Sequence, residues 1–107
     1  MKEGGAGCIS ATANVNPGPI DKLYREWKNA DAQAQQDQLD AIRKATGQYI
    51  MIPALKAVVA HYANDPAWAT VRPPLDPLTK EQAAKVIQDL ETLGFEMPGL
   101  RKETAAA

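Results

Sequence analysis

The chain has 107 residues, 45% apolar and 23% charged, with 12 basic and 13 acidic side chains and a formal net charge of -1. That is ordinary globular usage for one small domain, and it offers no basic surplus for nucleic acid. No run approaches the roughly 18 apolar residues that span a bilayer, the N-terminus has no apolar signal core, and one cysteine excludes an internal disulfide. The expectation is a cytoplasmic protein that engages neither nucleic acid nor membrane.

In chain order, Gly4-Gly5-Ala6-Gly7 reads as a tight turn and Cys8 to Thr12 as a short strand. The strand places Cys8, Ser10 and Thr12 on one face and Ile9 and Ala11 on the other. Small, semi-apolar residues on both faces suit a strand covered on both sides, as in a parallel sheet or barrel. Nothing else in the sequence reads as a strand, so its backbone N–H and C=O groups call for a partner.

A first helix is predicted from Pro19 to Lys28, because Ile20, Leu23, Tyr24 and Trp27 repeat at i, i+3, i+4 and i+7. Asn29-Ala30-Asp31 interrupts it, with Asp31 as N-cap of a second helix from Ala32 to Tyr49. Ala34, Ala41 and Ala45 give that helix a narrow small-residue stripe, widened by Leu39 and Ile42. A third helix begins near Pro53, buries Leu55, Val58, Val59 and Tyr62, and stops at Asn64-Asp65-Pro66.

Pro66, Pro73, Pro74 and Pro77 predict an extended connection from Ala67 to Leu78. Thr79-Lys80-Glu81-Gln82 fits a capping box and opens a fourth helix. Its apolar face is Ala83, Val86, Ile87, Leu90 and Leu93, and Gly94 ends it. The predicted fold is mostly α, one βα unit followed by three helices.

Few residues suggest chemistry on their own. The glycines of Gly4 to Gly7 precede the strand and no lysine follows them, the reverse of a phosphate-binding loop. Ser10 lacks a base at readable spacing, since the one histidine, His61, lies on the third helix. Lys56 reads as an anchoring or solvated lysine, and Cys8 as a small buried hydrophobe. Trp27, Trp68 and Tyr62 read as core, and Arg72 as a pin from the extended segment to a carboxylate or helix end. No metal ligand set or cofactor motif is present.

The stretch from Gly4 to Pro17, Gly-Gly-Ala-Gly-Cys-Ile-Ser-Ala-Thr-Ala-Asn-Val-Asn-Pro, resembles the last barrel strand of the dihydrodipicolinate synthase and N-acetylneuraminate lyase family. Lys56 after Pro53-Ala54-Leu55, followed by Val71-Arg72-Pro73-Pro74-Leu75-Asp76-Pro77-Leu78, resembles that family's C-terminal region. The resemblance implies a class I aldolase-type lyase on a (β/α)8 barrel with a three-helix C-terminal extension. Residues 1–29 would be the terminal βα unit, 30–95 the extension and 96–107 a flexible tail.

Members of the family bind pyruvate or another 2-oxo acid as a Schiff base on a lysine of the sixth strand. A tyrosine of the fifth strand transfers protons, and a Gly-Thr-Thr-Gly-type segment holds the carboxylate. None of these has a counterpart in the chain, and a whole barrel takes roughly 250 residues. The resemblance therefore implies a fragment that is inactive alone, with no catalytic residue and no cofactor. Ser10 would line the substrate site as its wall or stand just behind that wall, and the complete enzyme would be a homo-oligomer. The residues alone leave open a small helical interaction module whose strand pairs with a partner or a swapped copy.

Overall fold

The structure, a computed structural model, describes residues 1–100. It contains four α-helices, α1 (Pro17–Glu26), α2 (Ala32–Thr46), α3 (Met51–Ala63) and α4 (Lys80–Thr92), with short 3-10 turns at Ala11–Asn14 and Pro66–Ala69. The expected strand from Cys8 to Thr12 is not formed, and no β-strand occurs among the described residues. A strand needs a neighbour to share its backbone hydrogen bonds, and here none is in reach. The chain satisfies some of them locally instead: Ala13 N–H donates to Ser10 O, and Val15 and Asn16 N–H both donate to Thr12 O.

The first glycine behaves as the sequence predicts. Gly4 takes φ +86° and its N–H closes a turn on Met1 O at 3.0 Å, a backbone region that favours glycine. Helix α1 begins at Pro17, two residues before the predicted start, with proline in its first turn where the missing N–H costs nothing.

Helix α2 starts at Ala32 as predicted but stops at Thr46, short of Tyr49, because Gly47 follows. Asp31 precedes it without capping a backbone N–H; its carboxylate accepts from the Gln35 side chain at 3.1 Å. Thr46 is fully buried and satisfies its hydroxyl by donating to Arg43 O and Ile42 O.

Helices α3 and α4 end by the same device. Asn64 adopts the left-handed conformation at φ 54°, its N–H donates to His61 O, and Asp65 N–H returns to Ala60 O. Gly94 does the same at φ +72°, with Gly94 N–H on Glu91 O and Phe95 N–H on Leu90 O. The second stop turns Phe95 inward, where it is buried beside Leu90. Helix α4 opens with the predicted capping box: Thr79 Oγ1 accepts Gln82 N–H at 3.2 Å, and Gln82 Oε1 accepts Thr79 N–H at 3.1 Å.

The core lies among α2, α3 and α4. Ile42, Ala45, Leu55, Val58, Val86, Ile87, Leu90 and Phe95 are buried there with Val15, and Tyr49, Tyr62, Leu93 and Met97 pack on the rim. Two polar ties lock it. Gln38 donates to Leu93 O at 2.7 Å, and Gln48 donates to Asp89, which also accepts from Lys85. Of the expected tail at 96–107, Met97 packs on the core, and residues 101–107 lie outside the described residues.

Candidate functional site

The N-terminal limb is built differently from the three-helix core. Residues 1–10 run without regular structure to the 3-10 turn, and α1 follows with no buried residue of its own. The predicted stripe of Ile20, Leu23, Tyr24 and Trp27 exists, but its members are half-buried or exposed, Tyr24 by 53%. Ile9 is fully in solvent at 108%. The stripe faces a groove of about 870 Å³ between the N-terminal segment, α1 and α2.

Ser10 and Thr12 line this groove. Their hydroxyls are hydrogen-bonded to each other at 2.8 Å, and Thr12 is buried. The 3-10 turn brings them together and sinks Val15 and Asn16 behind them. The pairing orients the Ser10 hydroxyl, yet it provides no base. His61 engages other groups: its Nε2 lies 4.0 Å from Glu91 and its ring meets Tyr62 edge-on. Cys8, expected to be buried, is exposed on the unpaired segment.

Lys56 lies in a second, smaller cleft of about 440 Å³ on the opposite part of the chain, bounded by Asp65, Trp68, Val71 and Arg72. Trp68, expected in the core, is 54% exposed there. The convergence of Lys56 with residues 65–72 was not readable from either motif alone, because it depends on where the α3 stop directs the chain. The predicted helix-poor connection does run through Thr70 to Leu78, but it is broken by a turn in which Leu75 N–H donates to Arg72 O, and Pro66–Ala69 first forms a 3-10 turn capped by Asp65. Asp65 Oδ1 accepts Ala67 N–H at 3.0 Å.

Two titrations are displaced by the packing. Burial, with the nearby Glu91 carboxylate adding to it, raises the Tyr62 phenol above its ordinary range. Hydrogen bonds from Lys85 and then Gln48 hold the Asp89 carboxyl below the ordinary carboxylate range. Both groups belong to the packing of α4 on its neighbours. Among the described residues no group of three His, Cys, Asp or Glu side chains could hold a metal ion, and no helix is long and apolar enough to cross a membrane.

A helical bundle preceded by an exposed, glycine-led limb is the arrangement to which the family comparison gives a class. The Dihydrodipicolinate synthetase family model matches residues 1–93, and the chain belongs to that family. A 4-hydroxy-tetrahydrodipicolinate synthase of Gluconacetobacter diazotrophicus is 34% identical over 100 residues, covering 89% of this chain and 32% of the relative. The chain thus spans about a third of the length of the curated relative it matches. No solved structure matches it.

Proposed function

We propose that this chain is the C-terminal part of a Schiff-base-forming 2-oxo-acid lyase or synthase and is catalytically incomplete alone. The observation that carries the reading is the family match over residues 1–93, together with an alignment that covers 89% of this chain but 32% of its relative. Residues 1–29 are the closing βα unit of a barrel, 30–95 the helical extension and 96–107 a tail. The open apolar face of α1 supports this division, since an amphipathic helix of a barrel buries its stripe against strands.

In the assembled enzyme, a lysine amine outside this chain attacks the ketone of a pyruvate-type 2-oxo acid. Loss of water leaves an imine that draws electron density from the adjacent carbon. Such a lysine must be desolvated or set beside another cation to be neutral enough to attack. The share of this chain is the wall: residues 8–12 form no strand in the chain by itself, but paired with the rest of a barrel they would close it as the last strand and set Ser10 on the face where barrels of this kind hold their substrates. Lys56 belongs to the extension and takes no part in the imine. The remaining barrel portion and further copies of the enzyme are its partners.

The test is reductive trapping. Treated with pyruvate and borohydride, the chain alone is expected to gain no lysine adduct by mass spectrometry. Supplying the N-terminal two-thirds of the related synthase is expected to restore a pyruvate-dependent adduct on that partner. An adduct on Lys56 of the isolated chain contradicts the reading.

A further inference from the structure

Two cations singled out by the sequence, Lys56 and Arg72, stand 16 positions apart on different elements, yet the fold sets them on one cleft. The left-handed stop at Asn64 ends α3, the 3-10 turn Pro66–Ala69 redirects the chain, and Thr70 to Arg72 then passes beside Lys56. Neither cation has a carboxylate within 4.0 Å among the described residues, where the ion pairs are Asp21–Arg25, His61–Glu91 and Lys85–Asp89. Lys56 is nevertheless half-buried. Two cations on one cleft repel each other, and an oxyanion between them offsets that repulsion while accepting charge-assisted hydrogen bonds.

The remaining walls are selective. Trp68 presents a half-exposed indole, and Val71 adds apolar surface. Among the described residues Asp65 is the one carboxylate on the cleft. Its Oδ1 accepts from Ala67 N–H, and it forms no ion pair with Lys56 or Arg72. With Lys56 and Arg72 against Asp65, the cleft carries an excess positive charge of one.

We propose that this cleft binds a small oxyanion-bearing molecule, a carboxylate or phosphate held by Lys56 and Arg72 with its planar or apolar body against Trp68. The site uses none of the residues assigned above to the barrel wall, and its readout is binding rather than lyase chemistry, so either reading can fail without the other.

Titration of the whole chain with inorganic phosphate and, separately, with benzoate tests it. Amide and indole N–H resonances of residues 65–72 are followed by two-dimensional NMR, against sodium chloride at matched ionic strength. Saturable shifts centred on Trp68 and Arg72 are expected. Tighter binding of benzoate identifies a carboxylate ligand, and tighter binding of phosphate identifies a phosphate ligand.

Arg72→Met and Lys56→Met should each weaken the tighter of the two about three- to tenfold, as loss of a charge-assisted hydrogen bond does. Asp65→Asn keeps an oxygen for Ala67 N–H and removes the opposing charge, so it should tighten binding about twofold. A merely structural role for Asp65 predicts no such gain. Shifts no larger than those of chloride, or shifts that persist in the Lys56→Met, Arg72→Met double variant with the fold intact by circular dichroism, overturn the proposal.

Discussion

Residues 1–28 and residues 30–97 obey different rules of construction. In the second region every helix has a buried apolar face, the ends of α3 and α4 are closed by matching left-handed stops, and two glutamines tie the helices across the bundle. In the first, a helix with an equally clear apolar stripe buries none of its own residues, and Ile9 stands wholly in water. Val15 is the limb's contribution to the buried core, while the α1 stripe stays half-buried or exposed beside α2.

The largest expected effect sharpens that contrast. Leu90 is fully buried at the meeting of α3 and α4, and Leu90→Ala should lower unfolding free energy by about 3 kcal/mol through lost burial and a residual cavity. Tyr24→Ala on the open face of α1 should change it by about 0.5 kcal/mol or less. Chemical denaturation of both variants measures the pair. Equal losses would mean that the limb is held as firmly as the core.

Next come the helix ends. Asn64 holds a positive φ, so Asn64→Val should cost about 1–2 kcal/mol, while Asn64→Gly should be close to neutral. Thr79→Ala removes one half of the capping box and should cost about 1 kcal/mol. Thermal melts report both.

The smallest effect is electrostatic. The carboxyl of Asp89 titrates lower in the folded chain than in the unfolded one. Its stabilising contribution is therefore present above the unfolded carboxylate range and is lost as pH falls through the folded value. Asp89→Asn should flatten the stability profile on the acid side and leave the slope near neutrality unchanged.

These differences also explain what could be read from the sequence. Helix α4 was legible almost to the residue, because Thr79, Gln82 and Gly94 act through local hydrogen bonds that need no distant partner. The Asn64 stop was legible for the same reason. The strand from Cys8 to Thr12 was read from composition that suits a covered strand, but a strand is made by its neighbours, and in this chain Ser10 and Thr12 turn into a 3-10 segment. Asp31 was read as a cap, and Gln35 drew its carboxylate instead. The Lys56–Arg72 cleft was not legible, since Lys56 reads as an anchoring or solvated lysine and Arg72 as a pin to a carboxylate or helix end, and only the 3-10 turn after Asp65 brings them to the same wall.

Hydrogen–deuterium exchange of the whole chain tests the two-region account most directly. The account predicts that backbone amides around Ile42, Val58 and Leu90 exchange at rates set by global unfolding, while residues 5–11 exchange freely and α1 is protected only weakly. Protection of α1 and of the Cys8–Thr12 amides equal to that of α3 and α4 would contradict it.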